Sequence, residues 1–176
     1  MNYEQKFHKY LSAEAGLGLT YRDYIFEMTH NYYSNTDANN AKFGFAVEGG
    51  IRLYPKEFDN FEGFFVSPII SYRSYSVPFN PSANSSSYGT PAYSPSSFKP
   101  GYNLLDFQFK IGYSYESIWD VDLLGEFYVG VALRKATMRY YGETTNSATG
   151  AYDYVKTTQY ISVPQFIIGL KFGVPF

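Results

Sequence analysis

Residues 102–116 read YNLLDFQFKIGYSYE, and this stretch decides the fold class. Every second position from 105 to 115 is apolar or aromatic, whereas the alternate positions include Asp106, Lys110 and Glu116. Successive side chains of a β-strand point to opposite faces of its sheet. A period of two therefore predicts a strand with one apolar face and one charged face. Helical periodicity is hard to find anywhere in the chain.

The same alternation recurs along the sequence and predicts an all-β protein. We expect six long strands, at residues 10–23, 41–54, 63–76, 102–116, 122–139 and 155–176. The polar rows of these strands hold seven positive and five negative side chains: Arg22, Lys42, Arg52, Arg73, Lys110, Arg134 and Lys171, with Glu14, Glu48, Asp106, Glu116 and Glu126. We predict that residues 1–176 form a single domain.

Strands of this kind suit two architectures. A soluble sandwich or lipocalin-like barrel buries its apolar row, whereas a membrane barrel turns that row toward lipid. Strands of about 14 residues exceed the common five or six, and glycines in the charged row suit a narrow interior. The connections also alternate between long (24–40, 77–101, 140–154) and short (55–62, 117–121). We therefore predict an antiparallel up-and-down transmembrane barrel in the outer membrane of a Gram-negative bacterium. The soluble architectures remain open alternatives.

The composition excludes several classes of function. A formal net charge of -2 provides no basic surface for nucleic acid, so we expect no nucleic-acid partner. The chain has no cysteine, which removes disulfides, thiolate metal sites and a cysteine nucleophile. With only two histidines, His8 and His30, we expect no metal site and no cofactor. No spacing typical of a catalytic triad is present, so we predict that the protein is not an enzyme.

Aromatic residues near the predicted strand ends indicate the girdles that membrane barrels form at both water boundaries. The chain contains 20 Tyr and 16 Phe. Tyr54 and Trp119 are predicted on the periplasmic side. The predicted outer side is marked by Tyr24, Tyr32, Tyr33, Tyr75, Tyr102, Tyr140 and Tyr141. A simpler interpretation is that tyrosine suits strands in general.

Two further segments carry predictions about partners. Residues 77–101 contain five prolines and many serines, which oppose regular structure. This segment is either a plain external loop or a partner-contact loop, because four aromatic side chains are costly to leave in water. They are Phe79, Tyr88, Tyr93 and Phe98. The apolar row of the last strand runs to the final residue, and we predict that barrel-assembly machinery recognises its end. The signal would be Phe172, Val174 and Phe176.

Two stretches of the chain resemble a known family. One is YEQKFHKYLS at residues 3–12, followed by Gly16-Leu17-Gly18, and the other spans residues 51–73 and begins IRLYPK. They resemble the small outer-membrane β-barrel proteins of unknown function found in Bacteroidetes-type bacteria, which have an OmpA/OmpX-like eight-stranded architecture. The resemblance implies eight strands and a periplasmic turn at residues 4–9. It identifies an architecture and implies no catalytic residue.

Six strands fall two short of that architecture. We therefore expect the first two strands of an eight-stranded barrel to be absent, with residues 1–3 forming the tail of the second. Their loss would also account for the lack of a recognisable signal peptide. An open sheet in lipid would leave two unpaired edges, each with costly unsatisfied backbone groups. Either the chain begins earlier than Met1, or another chain closes the barrel.

The charged rows would then face the barrel lumen. The interior of an eight-stranded barrel is just wide enough for side chains to fill it, so we predict a structural network of paired charges. Its predicted members are Glu14, Arg22, Lys42, Glu48, Arg52, Arg73, Lys110, Glu126, Arg134 and Lys171. A proton or ion path through these residues is the alternative.

These inferences predict a non-enzymatic integral outer-membrane barrel that is a structural or accessory subunit of a larger outer-membrane complex. Its expected partners are membrane lipid and other outer-membrane proteins. The alternative function is a small transport or ligand-binding barrel of the outer membrane. The two differ in whether the interior is closed by its own side chains or leaves room for a solute.

Overall fold

The computed structural model describes residues 2–20, 42–55, 62–77, 100–115, 124–145 and 152–173. These residues form one antiparallel sheet whose strands are β1 (Asn2–His8), β2 (Leu11–Thr20), β3 (Lys42–Leu53), β4 (Gly63–Ser76), β5 (Gly101–Tyr115), β6 (Leu124–Thr145) and β7 (Tyr152–Gly173). Each strand pairs with the next strand in the sequence. The predicted all-β, up-and-down architecture is confirmed. Among the described residues, no helix has the length and hydrophobicity needed to span a membrane.

The amino-terminal strand differs from the sequence-based expectation. Residues 2–8 form β1, which pairs with β2 through a turn at residues 9–10. The predicted turn at residues 4–9 is therefore wrong, and the described residues contain seven strands instead of six. The outward row of β1 offers only Tyr3 and Phe7, separated by the polar Gln5. A row this short and interrupted gives almost no alternation signal.

The last two strands are longer than the sequence indicates. β6 and β7 each span 22 residues and pair from Leu124 opposite Gly173 to Thr145 opposite Tyr152. The predicted connection at 140–154 is therefore wrong, because most of it is strand. β5 pairs with β6 only as far as Arg139. Beyond that point the β6–β7 hairpin continues as a two-stranded ribbon.

The two ends of the sheet differ in their connections. The turn end, as we call it, joins β1 to β2, β3 to β4 and β5 to β6. The loop end joins β2 to β3, β4 to β5 and β6 to β7. Residues 21–41 and 77–100 make two long connections at the loop end, whereas residues 9–10 and 54–62 make short ones at the turn end. The predicted long connections at 24–40 and 77–101 and the predicted short connection at 55–62 are confirmed to within a few residues. The third predicted long connection, at residues 140–154, is mostly occupied by the two-stranded ribbon of β6 and β7.

The sheet has its apolar face outward. Leu19 is 83% exposed and Phe166 is 92% exposed, whereas Glu14, Arg52 and Asp106 are buried on the opposite face. A soluble sandwich or lipocalin-like barrel would bury the apolar row instead. The pattern has an exception on β6, where the exposed Lys135 lies in the apolar row, with its ammonium 5.7 Å from the ring centre of Phe107.

Ion pairs between distant strands show that the sheet curls around its polar face. Arg52 on β3 contacts Glu126 on β6 with an N–O distance of 2.7 Å. Adjacent strands lie about 4.8 Å apart, so these strands would be about 14 Å apart in a flat sheet. Lys171 on β7 likewise reaches Glu14 on β2 at 3.4 Å, across about 24 Å of flat sheet. We call the concave polar side the lumen.

The curled sheet is not closed by backbone pairing within the described residues. β1 pairs with β2 alone, and β7 pairs with β6 alone. Because every neighbouring pair is antiparallel, the first and last of seven strands run in the same direction. Both edges, β1 and β7, run from the loop end to the turn end. The predicted closed barrel of eight strands is therefore not seen, although the curl brings the two edges toward each other.

Candidate functional site

Near the turn end, one arginine holds three carboxylates from three strands. Arg52 Nη1 lies 3.0 Å from Glu4 Oε2, and Arg52 Nη2 lies 2.8 Å from Glu14 Oε2 and 2.7 Å from Glu126 Oε2. The guanidinium also stacks on Phe65, with 4.5 Å from its central carbon to the ring centre. We call Arg52, Glu4, Glu14 and Glu126 the Arg52 cluster. It joins β1, β2, β3 and β6 on the lumen side.

Strand register explains why an arginine is needed there. Glu4 lies directly opposite Glu14 in the β1–β2 pair, and like charges in that position repel. Arg52 lies opposite Ser12 on β2, two residue pairs from Glu14 and on the same face, where its fork reaches both carboxylates. Ser12 also donates a hydrogen bond to Glu4, as does the Tyr54 hydroxyl at 2.8 Å. The cluster is thus built by pairing three strands in one register.

The Arg52 cluster is incompletely satisfied by the described residues. Ser67 Oγ donates to Glu14 Oε1 at 2.7 Å, which completes that carboxylate. Arg52 Nε and Glu126 Oε1, in contrast, are buried and have no hydrogen-bond partner among the described residues. A buried polar atom without a partner costs roughly 1–3 kcal/mol. The three short ion pairs of the cluster must therefore offset the cost of these two unpaired atoms.

The middle of the lumen is held by a lysine on the last strand. Lys171 Nζ lies 3.4 Å from Glu14 Oε2 and 3.2 Å from Glu48 Oε1, which links β7 to β2 and β3. The ring of Tyr128 lies beside it, and Gly169 leaves the space that this ring occupies, since a Cβ there would collide with the phenol. A small residue on β7 therefore allows an aromatic ring to fill the interior.

Toward the loop end, a second network centres on one aspartate. Arg134 donates to Asp106 through both Nε and Nη2, at 2.6 and 2.8 Å. Arg73 Nη2 donates to the same carboxylate at 2.8 Å. Gln108 Nε2 donates to Ser71 Oγ at 2.7 Å beside this group. The network fixes β4, β5 and β6 to one another inside the curl.

At the loop end the inward side chains become apolar. Tyr75 and Tyr102 stack with ring centres 5.0 Å apart. We call this group the apolar cap; its buried members are Tyr75, Val77, Tyr102, Leu104, Ala136 and Met138, with Tyr140 packed against them. Tyr75 and Tyr102 were predicted in an outer girdle and Tyr54 in a periplasmic one. All three are buried inside the curl, so that prediction is wrong for them.

A cavity of about 350 Å³ lies between these groups. Its walls include Glu48, Arg73, Lys110 and Tyr128, and Gly16 and Gly18 line it on β2. Lys110 is buried, with its ammonium 4.5 Å from the centre of the Tyr128 ring. No carboxylate oxygen of the described residues lies within 4 Å of that ammonium. The interior is therefore not completely filled by side chains.

The structure places most of the predicted lumen residues together. Eight lie on the concave face: Glu14, Glu48, Arg52, Arg73, Lys110, Glu126, Arg134 and Lys171. Lys42 is exposed at the start of β3, next to a register shift, and is not part of either network. Two residues central to the networks, Glu4 and Asp106, were absent from the predicted set. Asp106 has a clear alternation signal, whereas Glu4 lies in the strand that the sequence did not reveal.

Several predictions concern residues outside the described ranges. They include the network member Arg22 and the partner-contact loop at Phe79, Tyr88, Tyr93 and Phe98. They also include the girdle residues Trp119, Tyr24, Tyr32 and Tyr33, the side chain of Tyr141, and the terminal Val174 and Phe176. Phe172, the remaining member of the predicted assembly signal, is described and is 68% exposed on the outward face.

Comparison with known proteins identifies no relative. No family model, no characterised protein and no solved structure matches the chain. The resemblance to small outer-membrane barrels therefore stays a prediction. Among the residues in the described ranges, no group of three or more His, Asp or Glu side chains is arranged to hold a metal ion.

Proposed function

We propose that this protein is a non-enzymatic integral outer-membrane β-barrel with a structural or accessory role in a larger outer-membrane complex. The observation that carries the proposal is the inverted sheet, with its charges paired in the lumen and its large apolar side chains outward. A continuous apolar face of this extent is unfavourable in water and marks a membrane or partner surface. Membrane lipid is the partner that best fits a face covering every described strand.

The lengths of the strands support the same proposal. A strand that crosses a membrane at a tilt needs about 9–11 residues. β2 to β5 contain 10, 12, 14 and 15 residues, and β6 and β7 contain 22 each. The excess of β6 and β7 lies at the loop end, where the ribbon would project into water. The loop end is therefore proposed as the external side.

The unpaired edges support an accessory role. In lipid, backbone groups must be satisfied by the protein itself. Because β1 and β7 run in the same direction, one additional strand running from the turn end to the loop end would be antiparallel to both. Such a strand would bring the number of strands to eight, and bacterial barrels have even numbers of strands. A partner protein that contributes this strand would make the chain a subunit of a larger assembly.

A membrane-insertion experiment tests the first part of the proposal. The protein is refolded with lipid vesicles, which are then washed with urea and floated on a density gradient. We expect it to float with the vesicles and to resist trypsin. Phe166→Lys should reduce the floating fraction, because a lysine on the lipid face costs about 2–4 kcal/mol at mid-membrane. Thr158→Lys, at an exposed position nearer the loop end of β7, is the matched control.

Recovery of folded protein in buffer without detergent or lipid would overturn the membrane assignment. Native mass spectrometry of detergent-extracted outer membranes tests the accessory role separately. We expect the chain, whose mass is 20.1 kDa, to be bound to other subunits. A chain found only alone would contradict the accessory role while leaving the membrane assignment intact.

A small ligand-binding barrel is the second candidate function. The cavity beside Lys110 supports it, because a barrel closed entirely by its own side chains would have no such space. Planar-bilayer recording separates this candidate from a transport barrel. A binding barrel gives no conductance steps, whereas a transport barrel does.

A further inference from the structure

Lys110 differs from the other cations of the described lumen. Arg52, Arg73, Arg134 and Lys171 each contact at least one carboxylate. Lys110 is only 3% exposed, lines the cavity, and has no carboxylate oxygen of the described residues within 4 Å. Its ammonium faces the Tyr128 ring, 4.5 Å from the ring centre. A buried ammonium with no carboxylate in direct contact is costly, and an anion in the adjacent space would relieve that cost.

We propose that this cavity binds a small organic monoanion through its carboxylate, which would lie against the ammonium of Lys110. The apolar part of the ligand would lie along the Tyr128 ring and the wall formed by Ala46 and Ile167. This specifies a ligand class for the second candidate function. It depends on the folded lumen and is independent of the accessory role.

The charges around the cavity favour a ligand that carries a single negative charge. Lys110 is the one lining cation without a described carboxylate contact, since Arg73 contacts Asp106. Glu48 lines the same cavity and would repel a second negative charge. Lys171 reduces this repulsion only in part, because its single charge is shared between Glu48 and Glu14. A dianion is therefore disfavoured relative to a monoanion.

The size of the cavity limits the ligand. Its volume of about 350 Å³ lies near the lower end of the roughly 300–1,000 Å³ typical of ligand sites. A short-chain carboxylate fits this range better than a complete membrane lipid. On the β2 wall, Gly18 has open space where a side chain would stand, since a Cβ there would meet no atom within 4 Å.

The test uses the full chain, folded in detergent, with hexanoate as the probe and hexanol as its neutral equivalent. Binding is measured by isothermal titration calorimetry and by the shift in the thermal unfolding midpoint. We expect hexanoate to bind and to raise the midpoint more than hexanol does. Lys110→Met should weaken hexanoate binding at least tenfold, because the methionine keeps the side-chain length and removes the charge. Lys135→Met, on the outward face of β6, should leave binding unchanged.

Glu48→Gln provides a second variant should Lys110→Met fail to fold. Removing the repelling carboxylate should strengthen hexanoate binding and allow succinate, a dianion, to bind. Equal effects of hexanoate and hexanol would overturn the proposal, as would unchanged hexanoate binding in a folded Lys110→Met protein. Either result would mean that the ammonium of Lys110 does not hold the carboxylate of the ligand. Floating with vesicles is scored separately, so failure of the membrane assignment is distinguishable from failure of this site.

Discussion

The two ends of the lumen are filled in different ways by the same strands. At the turn end, Arg52 binds three carboxylates, and Ser67 on β4 donates a hydrogen bond to one of them, Glu14. At the loop end, Tyr75 on the same strand packs into the apolar cap with Leu104. A polar interior requires every charge to be paired, whereas an apolar interior requires only that volume be filled.

The difference shows that an inward-facing row need not be uniformly polar. A narrow barrel interior is a packed core at its polar end and at its apolar end. Its side chains must therefore match one another in shape as well as in charge. The ion-paired end should depend on particular partners, and the apolar end should depend on volume. Substitutions at the two ends therefore test whether the lumen is one cooperative core or two.

The largest effect is expected for Arg52→Met. Removing this cation leaves two buried carboxylates, Glu14 and Glu126, and the partly buried Glu4 without their common partner, and breaking a buried ion pair costs about 3–5 kcal/mol. The free energy of unfolding is measured by urea titration of the vesicle-inserted protein. Arg139→Met, at an exposed position on β6, should change it by less than about 0.5 kcal/mol. A loss for Arg52→Met no larger than that of the control would refute the role of the Arg52 cluster.

The apolar end is tested by Leu104→Ala. Leu104 is fully buried in the apolar cap, and a leucine-to-alanine change in a core costs about 2–5 kcal/mol. We expect a loss of about 3 kcal/mol, with a smaller loss for Leu133→Ala on the outward face. If Leu104→Ala and Arg52→Met are combined, the distance between the ends predicts additive losses. Strong coupling would show that the lumen behaves as one unit.

The sequence predicted the ion-paired half of the lumen better than the apolar half. Around Lys110, apolar positions alternate with Asp106, Gln108 and Gly112, whereas beside Arg134 the apolar row is interrupted by Lys135. At Leu104 and Leu105 both faces are apolar, so the period of two disappears although the strand continues. Tyrosines were assigned to girdles because strand position alone does not tell whether a phenol points inward. No pattern along one strand reveals which strands the curl brings together, such as β7 and β2.

A smaller effect is expected for Lys171→Met. The side chain is 22% exposed, so water compensates part of the lost ion pairs with Glu14 and Glu48. We expect a loss of about 1–2 kcal/mol, between the values for surface and buried pairs. Lys42→Met is an informative control, because the sequence assigned Lys42 to the same lumen network and the structure leaves it exposed. Equal losses for the two variants would contradict the position of Lys171 in the lumen.

The smallest effect is expected for Tyr54→Phe, which removes one hydroxyl from the edge of the Arg52 cluster. That hydroxyl donates to Glu4 at 2.8 Å, and one hydrogen bond contributes about 0.5–1.5 kcal/mol net. Tyr113→Phe, on the outward face, should be nearly neutral. A double-mutant cycle with Glu4→Ala, which removes the acceptor oxygens, measures the coupling directly. Because Glu4 lies on β1, a coupling near zero would mean that β1 does not occupy the register that brings Glu4 to Arg52, and the polar end would then have lost one of its three carboxylates.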